Sequence, residues 1–219
     1  MLLDDIILYN LKEERMKDEM DILKEVGTTA AAHGSIALSE ILGRKITLRL
    51  PSLDMLPGEQ LSKTIHVEGM VLTMQAQILS GIEGKIVFLL EEKSAFKLVD
   101  MCYKSKEEGK KVGLFTEMGM SVIKEVGNII ISSYISSLSF FIKKLIIPSF
   151  PILINAPFVE VMNMLTVGYE KERYILVVEA LFEEEKASIK GNFWLVLTPE
   201  AAEEIKRACK KILESIRNS

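Results

Sequence analysis

The chain has 219 residues, of which 48% are hydrophobic, with 27 basic and 31 acidic side chains and a net charge of −4 at pH 7. That apolar share builds a substantial core in one large domain or two small ones, and the lack of a basic excess excludes a protein that tracks a nucleic-acid backbone. The start, MLLDDIILYN, carries acids where a secretory leader places its basic region, and Cys102 and Cys209 are too few for a disulfide scaffold or a cysteine metal site, so they read as reduced buried thiols of a cytoplasmic protein.

In chain order, the first 17 residues stand outside every pattern that follows and have the composition of a short amphipathic helix. A long helix is expected over about 18–42. Leu23, Val26, Gly27, Ala30, Gly34, Ala37, Leu38 and Ile41 recur there at helical steps. Strands are expected at 45–53, 66–78 and 85–90, and a helix at 92–102. The polar run SKEEGKKVG, 105–113, reads as a linker.

A second long helix is expected over about 114–144. Its stretch VGNIIISSYISSLSFFI, 126–142, carries no formal charge and is 17 residues long, at the short limit for crossing a bilayer. Five serines and Asn128 within it favour a buried helix, and no membrane insertion is expected. Strands are then expected at 145–154, 160–169, 174–182 and 188–197, with alternation clearest in Tyr174, Leu176, Val178 and Ala180. A last helix is expected over 199–216, with Thr198 as N-cap and Pro199 in the first helical position.

The two halves match. KEVG occurs at Lys24 and again at Lys124. Asp21, Glu25, Thr28 and Pro51 correspond to Ser121, Glu125, Asn128 and Pro151, all 100 residues on (21 to 121). Leu38-Ser39, Ile46 and Leu53 recur at the same offset. Gly84 and Cys102 recur as Gly191 and Cys209 at an offset of 107 (84 to 191). The chain therefore reads as one α+β domain, 1–219, made of two internal repeats, about 18–104 and 114–219. The expected architecture is pseudo-two-fold, with long helices packed on a mostly antiparallel sheet.

Ser121, Glu125 and Asn128 are spaced i, i+4, i+7, which places them within roughly 60° of one helix face. Asp21, Glu25 and Thr28 share that spacing. A polar stripe is ordinarily the wet side of an amphipathic helix. Here it occurs twice in a duplicated frame, followed each time by a proline. His33 and His66 have no partner at ligand spacing, and there is no Gly-rich phosphate loop and no metal spacing.

The pattern (Asp or Ser)-x3-Glu-x2-Asn-x22-Pro resembles the signature of the CheC, CheX and FliY phosphatases of chemotaxis. It stands whole as Ser121, Glu125, Asn128 and Pro151, and with one departure as Asp21, Glu25, Thr28 and Pro51. The resemblance runs from about residue 18 to the end, and two motifs in a chain of this length look most like the CheC branch. FliY adds a C-terminal switch domain for which no residues remain, and CheX has one motif in a shorter chain.

The resemblance implies hydrolysis of the aspartyl phosphate of a CheY-type response regulator. Phosphoryl transfer to water needs chiefly a positioned nucleophile and neutralised charge. The regulator would supply Mg²⁺ and a lysine, and this chain would need no cofactor of its own. A carboxamide suits water orientation because it donates and accepts hydrogen bonds without facing the phosphoryl oxygens with like charge. Asn128 is thus the expected water-orienting residue and Glu125 the expected partner of the regulator's lysine. Ser121 supports this site. Asp21, Glu25 and Thr28 form a degenerate one, because threonine is short, stiff and able to bond back onto its own helix. The resemblance also implies the deamidase CheD as a second partner. A binding module for CheD or phosphorylated CheY, with little or no catalysis, is the alternative reading, and a flagellar-switch component a further one.

Overall fold

The computed structural model describes residues 19–43, 45–50, 53–57, 67, 69–103, 115–166, 174–184 and 187–217. The N-terminal segment 1–17, the expected linker 105–113 and Pro51 lie outside them. Among the described residues there are five helices: α1 Glu19–Leu42, α2 Glu92–Tyr103, α3 Glu117–Ile142, α4 Phe158–Thr166 and α5 Pro199–Arg217. The strands are β1 Thr47–Arg49, β2 Leu53–Pro57, β3 Met70–Ser80, β4 Gly84–Glu91, β5 Ile147–Pro148, β6 Ile152–Pro157, β7 Tyr174–Glu184 and β8 Ala187–Leu197.

The strands form one antiparallel sheet in the order β1-β7-β8-β4-β3-β5, with β2 also on β7 and β6 also on β3. One row of side chains across it displays the symmetry. Leu53 opposes Val178, Val178 opposes Phe193, Phe193 opposes Phe88, Phe88 opposes Met74, and Met74 opposes Leu153. Read from either end, the row visits equivalent strands, so the pseudo-two-fold axis passes between Phe88 and Phe193. The ladder thereby relates β4 to β8 by 105 residues (88 to 193), two fewer than the Gly84–Gly191 match suggests.

That row faces α1 and α3, and all six residues belong to or pack against the main core. Each long helix contributes one apolar side: Ile22, Leu23, Val26, Ala30 and Leu38 from α1, and Ile123, Val126, Ile130, Ile131, Tyr134, Ile135, Leu138 and Phe141 from α3. α3 is long and apolar enough by composition to cross a membrane, with half of its most apolar window buried. Its apolarity is accounted for by this packing. Thr198 caps α5, accepting the Ala201 N–H at 3.3 Å, and Pro199 opens that helix as expected.

Two expectations fail for identifiable reasons. Of the expected strand 160–169, residues 167–169 lie outside the described residues and the rest is helical: Phe158–Thr166 is helix α4, whose Phe158, Val161, Met162 and Leu165 cover Val71, Val87, Trp194 and Val196 on the opposite sheet face. Spacing i, i+3, i+4, i+7 is a helical stripe. The expected strands 45–53 and 145–154 are each two short strands. In the second, Pro151 has no N–H to give the ladder. Ser149 serves there instead, exchanging bonds with the backbone of Gln77 through its N–H (2.7 Å) and its Oγ (3.0 Å).

Candidate functional site

α3 is fixed at both ends. Thr116 Oγ1 accepts the Gly119 N–H at 3.1 Å. At the other end Lys143 adopts the left-handed conformation at φ 53°, and the N–H groups of Lys143 and Lys144 donate to the carbonyls of Phe140 and Ser139. Between these caps the tetrad KEVG divides its labour. Val126 and Gly127 point inward, and Lys124, Glu125 and Asn128 point outward. A Cβ at Gly127 would run into the Sδ of Met74 and come within 3.3 Å of Phe88. The helix therefore lies low on the sheet, directly beside Asn128, because this residue has no side chain.

Ser121, Glu125 and Asn128 are all exposed, so the structure brings them together on one outer face. Among the described residues, Glu125 and Asn128 form no hydrogen bond or ion pair within the fold, which leaves both free to meet a partner. Met118, 59% exposed, lies seven residues before Glu125 and so extends the same face two turns toward the N-terminus. The sequence spacing contains that residue, but a methionine stripe reads as core until burial is known.

The equivalent face of α1 differs at each position. Asp21 lies 3.7 Å from Lys24, and its side chain is only 32% exposed. Glu25 is half-buried. Thr28 donates its hydroxyl to the Lys24 carbonyl at 3.0 Å, the local back-bond expected of a threonine in a helix. Gly27 is less crowded than Gly127, with Leu50 Cδ1 at 3.3 Å from its Cβ position.

The α3 face is open to solvent. A cleft of about 530 Å³ lies elsewhere, between the end of α3 and α5, lined by Phe141, Lys143, Glu204, Arg207, Lys211 and Ile212 among others but by none of Ser121, Glu125 and Asn128. Among the described residues no group of three or more His, Cys, Asp or Glu side chains is placed to hold a metal. The arrangement can present a carboxylate and a carboxamide, one turn apart on a rigid rod, to the surface of another macromolecule.

A model of the CheC-like family matches residues 118–154, the span from Met118 past Pro151. The CheY-P phosphatase CheC of Bacillus subtilis (strain 168) is 27% identical over 151 residues, covering 66% of this chain and 68% of that protein. Among solved structures, FliY of Thermotoga maritima superposes with a TM-score of 0.69 at 23% identity, covering 90% of this chain and 99% of the other. The FliM middle domain of H. pylori superposes with a TM-score of 0.62 at 12% identity, covering 88% and 99%.

Proposed function

We propose that this chain, which belongs to the CheC-like family, hydrolyses the aspartyl phosphate of a CheY-type response regulator at the Glu125–Asn128 face of α3. The observation that carries this reading is the exposed set Ser121, Glu125 and Asn128, held on one face of a capped helix. Asn128 orients the attacking water through its amide, and Glu125 pairs with a lysine beside the phosphoaspartate. The regulator brings Mg²⁺ and that lysine, so the phosphatase contributes positioning and needs no cofactor of its own. An exposed helix face fits this division, since a protein substrate brings its own pocket.

The Asp21–Glu25–Thr28 face is the degenerate copy. Its hydroxyl is committed to the helix backbone and its acids are engaged or half-buried. The two halves, about 18–104 and 114–219, act as one cytoplasmic domain with one working site. A second reading, a binding module for CheD or for phosphorylated CheY, is favoured by the loss of the carboxamide at Thr28.

Decay of a phosphorylated CheY-type receiver, followed with and without this protein, decides between them. Faster decay that disappears in Asn128→Ala supports the phosphatase. Binding of the receiver with unchanged decay assigns the binding role.

A further inference from the structure

The chain returns from each long helix to the sheet by the same route. Ser39 Oγ accepts the Ile46 N–H at 2.9 Å, and Ser139 Oγ accepts the Ile146 N–H at 3.3 Å. Seven residues later, Leu53 and Leu153 take the two ends of the palindromic row. Leu50 and Phe150 therefore stand at equivalent points between equal fixed positions. Their side chains do opposite things. Leu50 is half-buried and packs at Gly27, next to Thr28. Phe150 is 97% exposed.

The row explains the divergence. Met74 occupies the place that Val178 holds in the other half. Valine is short, and Leu50 fills the space under Gly27. Methionine is longer and reaches Gly127 itself, taking the place against the helix glycine that Leu50 takes at Gly27. Phe150 is thus turned into solvent, at the point of the second half that corresponds to the place of Leu50 beside Gly27 and Thr28 in the first.

We propose that Phe150 is the apolar anchor on which the receiver domain of the phosphorylated regulator docks at the Asn128 face. The occupant follows from continuity: a receiver that brings a phosphoryl group to Asn128 must lie over the α3 face and over the chain beside it. Large aromatic side chains buried on association supply much of the affinity of protein interfaces. At the first face the equivalent residue, Leu50, is spent on the core, so the two faces differ at this position as well as in chemistry. The inference rests on the phosphatase reading above.

The test is Phe150→Ala in steady-state dephosphorylation of a purified CheY-type receiver charged with acetyl phosphate. KM is expected to rise by about tenfold, with kcat within a factor of about two and Tm unchanged, because the side chain is almost wholly exposed. Phe150→Tyr keeps a KM near wild type. An unchanged KM in Phe150→Ala overturns the proposal. So does wild-type self-association, seen by sedimentation, that the variant abolishes without altering KM. Should the wild type fail to accelerate decay, the phosphatase reading falls alone. Binding of the beryllofluoride-treated receiver then decides: weaker binding by Phe150→Ala upholds the anchor, and equal or absent binding overturns it.

Discussion

At the scale of single residues, the difference between Asn128 and Thr28 is the most informative substitution in the chain. Asn128→Ala is expected to reduce accelerated dephosphorylation by on the order of a hundredfold, the typical loss when one positioned polar group is removed. Binding of the receiver is expected to survive, because Glu125 and the rest of the face remain. Thr28→Ala is expected to change little, since its hydroxyl already serves the Lys24 carbonyl. Thr28→Asn restores the carboxamide and is expected to raise turnover, by less than a doubling, because Asp21 is held by Lys24 and Glu25 is half-buried. The four proteins compared in one phosphate-release assay check this. A Thr28→Ala loss equal to that of Asn128→Ala would assign the work to the wrong helix. A second residue carries a pH signature. Burial of Tyr134 pushes its phenol well above its ordinary range, with the neighbouring Cys209 thiol adding to the shift. Its hydroxyl lacks a hydrogen-bond partner among the described residues, and its ring packs 4.5 Å from that of Phe193. The folded state thus favours the neutral phenol. Its stabilising contribution is complete below the unfolded value of about 10 and is lost as pH rises above it. Tyr134→Phe is expected to remove this part of the alkaline loss, so its advantage in urea midpoint over wild type grows between pH 8 and pH 11.

At the scale of elements, the long helices are placed by their glycines and ended by their caps. Gly127→Ala puts a methyl group against Met74 and Phe88 in the centre of the sheet. The expected cost is about 1–3 kcal/mol for overpacking, offset in part by the roughly 1 kcal/mol by which alanine favours a helix. Gly27→Ala meets the half-buried Leu50 at 3.3 Å, a neighbour able to yield. It is expected to be neutral or slightly stabilising. Urea unfolding of the two variants gives the comparison, and equal costs would contradict the packing difference between the halves. The C-terminus of α3 offers a gain. Lys143 holds a left-handed conformation at φ 53°, which costs a residue with a Cβ about 1–2 kcal/mol. Lys143→Gly relieves that strain while loosening the unfolded chain, for an expected net stabilisation of about 0.5–1 kcal/mol. A lower thermal midpoint in Lys143→Gly would show that the lysine side chain contributes more than its backbone costs.

At the scale of the whole molecule, the pseudo-two-fold relation places Cys102 on α2 and Cys209 on α5, each the eleventh residue of its helix. Both are buried, and among the described residues neither is in a disulfide. A thiol reagent is therefore expected to react with neither in the native protein and with two equivalents after denaturation, without any reductant. The same relation brings α1 and α3 side by side, where a Cβ on Gly34 would lie 3.6 Å from Ser133 Oγ. Two helix faces are presented to solvent by one scaffold, and their unequal chemistry arises from a handful of positions: Thr28 against Asn128, Leu50 against Phe150, Val178 against Met74.

The duplication, the helix boundaries and the polar stripe were legible in the linear chain because each is a matter of spacing. An i, i+4, i+7 set lies on one face of a helix whatever that helix packs against, and the Thr198-Pro199 start of α5 is local chemistry. The back-bond of Thr28 was legible for the same reason, since donor and acceptor are four residues apart on one helix. Helix α4 was not, because a nine-residue apolar run rich in methionine and valine suits a strand equally well until its partner surface is known, and Trp194 and Val196, which it covers, come some thirty residues later (166 to 194). Only the folded sheet could show that Met74 rather than residue 150 fills the space under Gly127. The exposure of Phe150 is a consequence of volume around one buried glycine, and volume is decided by side chains that meet across strands far apart in the sequence.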